Sequence, residues 1–248
     1  ITGNFQLSGT CPMSPAVDAG TTNGLTPHDA TGFNGGARDL GALESLFTNI
    51  GPTNMYYVDD NSDVGDLYTP CAVGNAANTG RSRFAPKRTL TNLLSTYNLD
   101  AGDTVYIDTG TNAYGVRIDP SDADGVPGSP IIFIGPTNGA VAEFAGVVGI
   151  RDGFFLTNAL HVGIRALSIR GYTNGVRMIS GGVGSSTNNE IRGLTIRSNE
   201  VMGVFLNGTA VDANRITSNV ISGTSAVYQD YGMYVAQGDR NVISNNTI

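Results

Sequence analysis

The sequence predicts an all-β chain wound as a parallel β-helix, a solenoid of stacked rungs entered through a short helical cap. Three observations predict it. An Ile-x4-Ile unit recurs, with its first Ile at Ile164, Ile191, Ile216 and Ile243 and its second at Ile169, Ile196, Ile221 and Ile248, in steps of 27, 25 and 27 residues. A second column follows each unit, reading "NGVRMI" at 174–179, "MGVFLN" at 202–207 and "YGMYVA" at 231–236. Within the units, apolar residues alternate with the strand period of two: Leu167 and Ile169 share one side and Ser168 takes the other. A period of about 26 residues holding two or three short strands is one rung of a solenoid.

Each column has a physical purpose. The Ile positions stack into a continuous dry core. Asn189, Asn214 and Asn241 precede three of the first Ile by two residues, and Asn219 and Asn246 precede two of the second. Aligned amides of this kind can donate and accept along the stack as side-chain ladders. Gly175, Gly203 and Gly232 also align, and are expected at sharp corners that need unusual dihedrals. Leucine-rich repeats recur at a similar period, but they require an L-x-x-L-x-L pattern and helical segments, which the Gly, Asn and β-branched content opposes.

The front of the chain differs. Leu90, Leu93, Leu94 and Tyr97 have helical spacing behind Pro86, so a helix there is expected to plug the open end of the solenoid. "DTVYIDTG" (103–110) then alternates as a strand, and "SPIIFIG" (129–135) is expected to begin the rungs.

Composition narrows the class. The 248 residues suffice for one large domain, Trp is absent and the net charge is −7. Residues 1–124 carry 14 acidic and 6 basic side chains, hence −8; residues 125–248 carry 7 and 8, hence +1. That balance excludes the basic footprint of a nucleic-acid binder, and no apolar run approaches a membrane span. The chain starts without Met and stops within a repeat, so it is expected to be part of a longer protein. Cys11 and Cys71 match no metal-binding spacing; they are either a disulfide or two free thiols.

"YYVDDNS…GD…NTGRS…APKRTLTNLL…LDAGDTVYIDTGTNAYG" resembles the N-terminal capping module of right-handed parallel β-helix proteins of the pectate-lyase-like superfamily, in particular the copies found in very large secreted or surface proteins of bacteria. "SPIIFIGPTNGAV" and "GFFLTNALHVGIRALSIRG" resemble that family's first rungs. Upstream, "SPAVDAGTTN" (14–23) and "DATGFNGGARDLGALE" (29–44) resemble the tail that closes many such helices. The resemblance implies a right-handed winding and a junction: residues 1–46 as the closing segment of a preceding β-helix, 47–53 as linker, 54–128 as cap and first strands, and 129–248 as rungs. A disulfide between Cys11 and Cys71 would staple that junction.

Relatives that cut polysaccharides use acidic calcium ligands with a basic residue, or paired carboxylates. Neither pattern stands out, so no enzymatic activity and no catalytic residues are expected. His161 reads as structural. Arg165 and Arg192 occupy the same place on successive rungs, as do Arg170 and Arg197. The four are either a positive patch for carboxylate or sulfate groups or a solvated face neutralised by Glu190 or Glu200. "DDNSD" places Asp59, Asn61 and Asp63 at spacings like the start of an EF-hand loop, a candidate calcium site, although Val64 and Pro70 replace its Gly and Glu; "DPSDADG" (119–125) fits less well. Both are otherwise polar turns.

The expected function is a structural segment of a large extracellular or cell-surface protein: a stalk, sheath, fibre or adhesin, with calcium as the one cofactor to consider. The alternative is a module that binds or cleaves polysaccharide. Expected partners are neighbouring β-helix modules, copies of the chain itself, or acidic polysaccharide.

Overall fold

The computed structural model describes residues 54–70, 72–112, 115–146, 151–223 and 230–248. The expected closing segment 1–46, the linker 47–53, Cys11 and Cys71 lie outside the described residues.

The chain winds as the sequence predicts. β1 (Met55–Val58) opens the coil, followed by α1 (Leu90–Leu94). The first rung is β2 (Thr104–Ile107), β3 (Gly110–Asn112) and β4 (Val116–Ile118); the second is β5 (Ile131–Ile134), β6 (Ala142–Ala145) and β7 (Asp152–Thr157). The third is β8 (Val162–Arg165), β9 (Ser168–Arg170) and β10 (Asn174–Ile179), and the fourth is β11 (Glu190–Arg192), β12 (Thr195–Arg197) and β13 (Met202–Asn207). The fifth is β14 (Arg215–Thr217), β15 (Val220–Ser222) and β16 (Tyr231–Val235), and β17 (Val242–Ser244) starts another. Rungs therefore begin one turn earlier than "SPIIFIG" suggests.

Three parallel sheets result. Sheet A has seven strands in the order β1-β2-β5-β8-β11-β14-β17; sheet B runs β4-β7-β10-β13-β16 and sheet C runs β3-β6-β9-β12-β15. The register is the one read from the repeat: Ile164, Ile191, Ile216 and Ile243 are successive partners in sheet A, and Ile169, Ile196 and Ile221 in sheet C. All of these are buried except Ile243. Ile248 keeps its place over Ile221 through the Val220–Thr247 bridge. The dry-core expectation fails at this one position of the column: Ile248, in the last described rung, is 73% exposed.

The cap helix has a physical start. The Thr89 hydroxyl accepts from Asn92 N at 3.0 Å, an N-cap, and Leu90 and Leu93 are buried in the core that Val105, Val116 and Phe144 continue.

The corners between sheets are built differently from the expectation. His161, Asn188, Ala213 and Arg240 all have φ between 51° and 58°, and so form one column of left-handed corners. Ala166, Gly193, Ser218 and Asn245 form the second, with φ of 52° to 65°. Only Gly193 is glycine in the eight. Aligned Gly175, Gly203 and Gly232 lie instead inside the strands of sheet B, without positive φ. Their constraint is space. A Cβ on Gly175 would sit 2.5 Å from Ile196 Cγ2 and 2.6 Å from the Gly203 carbonyl, one on Gly153 would meet Ile169 Cγ2 at 2.6 Å, and one on Gly232 would meet Ile248. Glycine lets the Ile of sheet C push across the tube against sheet B.

Directly after several corners stands an Asn, buried at 189, 214 and 219 and half-buried at 241 and 246. Asn189 Oδ1 accepts from Val162 N at 2.9 Å; Asn214 Oδ1 accepts from both Asn189 N and Asn189 Nδ2; Asn241 Oδ1 repeats this for Asn214. Their Nδ2 groups also donate to Ala159, Ser186 and Val211 carbonyls. Asn219 and Asn246 form a second ladder, Asn219 Oδ1 taking Leu194 N at 2.9 Å.

Two outcomes follow. Asn214→Ala would strip Asn189 of the acceptor for two donors inside the core and should cost about 2–5 kcal/mol in denaturant unfolding; a loss below about 0.5 kcal/mol would show that the ladder is dispensable. Ala166→Gly, which relieves a left-handed Cβ at a corner, should stabilise by about 1 kcal/mol, whereas Gly175→Ala should destabilise.

Candidate functional site

Inward positions are committed to the core, so chemistry must come from outward positions of the strands or from the loops.

The arginine columns lie where the repeat places them, Arg165 beside Arg192 and Arg170 beside Arg197. They do not share one face. Arg165 and Arg192 belong to sheet A, Arg170 and Arg197 to sheet C, and the Ala166 corner turns the sheets apart. Most of the charge is already paired. Arg165 Nε lies 2.6 Å from Glu190 Oε2. Arg170 and Arg197 both grip Glu143, each at 2.9 Å, and hydrogen bonds from Arg170 and then Arg197 hold the Glu143 carboxyl below its ordinary range. Glu190 is the neutraliser that the sequence suggested; Glu143, one rung from Arg170 and two from Arg197, takes the place considered for Glu200.

Sheet B carries a feature that the sequence reading passed over. Its outward residues Arg117, Phe155, Arg177, Phe205 and Tyr234 are successive register partners, one per rung. The Arg177 guanidinium lies 4.9 Å from the Phe155 ring centre and 6.0 Å from that of Phe205; Arg117 lies 5.7 Å from Phe155. Phe205 and Tyr234 are 5.8 Å apart, and Tyr231 adds a ring 5.6 Å from Tyr234. Cations over ring faces are mutually favourable, so the column is self-supporting. Asp152 orients Arg177 from the side at 3.3 Å. The signal was present: Arg177, Phe205 and Tyr234 hold the same place in the three quoted repeats, but the eye follows the inward Val and Leu beside them.

The acidic loop is arranged otherwise than an EF-hand start. Asn61 and Asp63 are exposed while Asp59 is buried, 1% accessible, so the three cannot converge. β1 alternates Tyr56 and Val58 inward, and Asp59 is buried directly after Val58. Its carboxyl instead feels the charges of Asp66 and Asp108. Asp108 is satisfied: its carboxylate accepts from the amides of Leu67, Tyr68, Thr69 and Thr109 and from the Thr69 hydroxyl, and thereby pins the loop to the end of β2. Asp59 and Asp66 each keep one buried oxygen without a partner. Burial first, and the Asp66 charge second, push Asp59 up to about 8; burial pushes Asp66 up to about 6. Among the described residues no three His, Cys, Asp or Glu side chains converge to hold a metal ion. The 119–125 loop is a closed turn in which Asp119 accepts from the Ser121 amide and hydroxyl. His161 sits at a corner, its backbone bonded to Ile131 and Thr187.

A sequence model of the family described as periplasmic copper-binding protein (NosD) matches residues 98–248. The chain belongs to the NosD family. Among solved structures, this NosD-family chain is similar to pectate lyase Pel9A, with a TM-score of 0.57 at 17% identity over 79% of this chain and 48% of the lyase. It thus spans about half of that lyase's length, and at this identity the likeness concerns the fold alone. No curated protein matches the sequence at a significant level. No helix among the described residues is long and apolar enough to cross a membrane.

A pH dependence follows from Asp59. Its folded pKa lies above its unfolded value, so the native state holds the proton longer. Stability contributed by the neutral carboxyl is therefore complete below about pH 4 and is lost as pH rises towards about 8. Asp59→Asn should flatten the fall in melting temperature between pH 5 and pH 8. Parallel pH profiles for the variant and the natural chain would refute the assignment.

Proposed function

We propose that this chain is a non-catalytic β-helix module of a protein outside the cytoplasm, and that the outer face of sheet B holds acidic polysaccharide. The Arg–aromatic column carries the reading. Strands within a sheet repeat every 4.8 Å or so, which sets Phe155 and Phe205 about 10 Å apart with Arg177 between them. Aromatic faces suit the apolar faces of pyranose rings, and a guanidinium suits carboxylates. A chain of sugar acids lying along the solenoid axis would meet the same contact in step with its own repeat.

Absence of catalysis is part of the proposal. Glu143 and Glu190 are tied to arginines, and Asp152 is held by Arg177 and Asn174. Carboxyls with raised pKa values lie in the cap and the 119–124 loop rather than on sheet B. The family's description as periplasmic, the net charge of −7 and the single lysine, Lys87, support a place outside the cytoplasm. A stalk or adhesin on the cell surface and a periplasmic protein both accommodate the face.

Copper stands outside this reading. Copper sites draw on clustered His, Cys or Met donors. Among the described residues His161 stands without a second histidine, no three His, Cys, Asp or Glu side chains gather, and Met55, Met178, Met202 and Met233 fall on four different strands, so these residues do not present a clustered copper donor set.

Affinity electrophoresis tests the proposal. Polygalacturonate or alginate in the gel should retard the chain, neutral dextran should not, and no reducing or unsaturated ends should be released. Joint Phe155→Ala and Phe205→Ala substitution should weaken the retardation at least about tenfold, as should Arg177→Gln, while Arg192→Gln should leave it unchanged. Equal retardation by dextran, or full retention of binding in the double variant, would sink the reading.

A further inference from the structure

A second site lies at the other end of the coil, on the outer face of sheet A beside the cap, away from the face assigned to polysaccharide. Tyr57 on β1 and Tyr106 on β2 are register partners whose rings stack with centres 5.5 Å apart at 21°. The Tyr68 ring tilts against Tyr106 at 4.8 Å. With Met55, Leu67 and Arg83 these rings line a cavity of 280 Å³, small beside ordinary ligand pockets.

Its walls are fixed independently. Strand pairing sets Tyr57 and Tyr106. The Tyr68 hydroxyl donates to the Gly135 carbonyl at 2.9 Å, and Asp108 clamps the Leu67 and Tyr68 amides. Arg83 stands in a tight turn closed by Ala85 N to Ser82 O at 3.0 Å, with the Ser82 hydroxyl accepting from Phe84 N. This turn follows Gly80, whose carbonyl accepts from Tyr57 N.

The guanidinium of Arg83 lies 5.8 Å from the Phe84 ring centre, but its charge is not neutralised. Among the described residues Arg83 makes no ion pair, unlike Arg165, Arg170, Arg177 and Arg197. Its Nε is shielded from solvent and has no hydrogen-bond partner. A guanidinium is shaped to take a carboxylate on two parallel N–H groups, and with Nε shielded those of Arg83 are on its two terminal nitrogens. The guanidinium also acts on the neighbouring ring: burial and then Tyr106 push the Tyr57 hydroxyl up, while Arg83 pulls it down.

We propose that this pocket binds a small aromatic carboxylate, its ring against the tyrosine faces and its carboxylate on Arg83. Flat aromatic walls prefer a flat aromatic guest in offset or edge-on contact. The single cation selects one negative charge, and the cavity has room for a ring bearing it.

Saturation-transfer and chemical-shift NMR on the full chain, with 4-hydroxybenzoate as probe, test this. A Kd of about 1 mM is expected for a guest of ten heavy atoms, with saturable shifts at Tyr57, Tyr68, Tyr106 and Arg83. Phenol, which lacks the carboxylate, should bind at least about tenfold more weakly, and glucuronate, a sugar acid without an aromatic ring, likewise. Arg83→Gln, checked for an unchanged melting curve, should weaken binding at least about tenfold. Tighter binding of glucuronate than of 4-hydroxybenzoate, unaltered binding in the Arg83 variant, or no saturable shift would overturn the proposal. None of these results touches the sheet B face, which a polysaccharide gel reads separately.

Discussion

The structure depends on satisfying backbone amides at corners that face inward. A β-helix turns between sheets several times per rung, and at each turn the ladder of strand hydrogen bonds is interrupted inside the tube. An orphaned N–H there costs as much as a hydrogen bond is worth in the interior. Asn answers this because one side chain offers both an acceptor and two donors. Asn214 takes the Asn189 amide and side chain below it and hands its own to Asn241 and Ser186. Each amide in the ladder completes its neighbour, so the ladder is stable only as a stack. That cooperativity makes rungs repeat, and it fixes the register on which the Ile columns rely.

Once inward columns are fixed by this constraint, outward columns inherit the same register at no further cost. Strict alternation places Arg177 outward because Val176 and Met178 point inward. Successive rungs then align Phe155, Arg177 and Phe205 without any loop to position them. The glycines of sheet B serve the same geometry. By yielding space to Ile169 and Ile196, they keep the tube narrow and sheet B flat against its neighbour. Polar chemistry, by contrast, accumulates where rungs are missing, around β1 and the Asp108 clamp, because only there does the chain leave the repeat and fold side chains from separate segments together.

This division explains what was legible in the sequence. Periodicity exposes whatever the stack requires of every rung, so the Ile columns, the Asn ladders and the parallel winding are legible directly, while two or three strands per rung stay open until the structure gives three sheets. The reason for the glycines is not legible, since a gap in a column looks the same whether it serves a dihedral or a close approach; only the methyl of Ile196 against Gly175 distinguishes them. The four arginines were placed correctly along the chain but on one face, because a two-residue corner at Ala166 and Leu167 is invisible to spacing. Asp59 was grouped with Asn61 and Asp63 by sequence distance, whereas its burial beside Val58 at the end of β1 sets it against Asp66 and Asp108. Tyr57, Tyr68 and Arg83 come from three segments of the front and Tyr106 from the first rung, and nothing local signals their meeting.

The separation of inward and outward columns also bears on how such a chain can change its ligand. Repeat steps of 27, 25 and 27 residues are absorbed between strands, while β8, β11, β14 and β17 hold their partners without slip. Length variation is therefore tolerated in the turns and forbidden in the columns. A substitution at Phe205 alters what the surface recognises but removes little from the core; one at Val204, a single residue earlier, removes a fully buried side chain and recognises nothing. Neighbouring residues thus answer to different selection, one to packing and the other to whatever lies along the tube. A solenoid of this kind can keep its scaffold and revise its face, because the backbone that spaces the ligand contacts is the same backbone that the asparagine ladders lock.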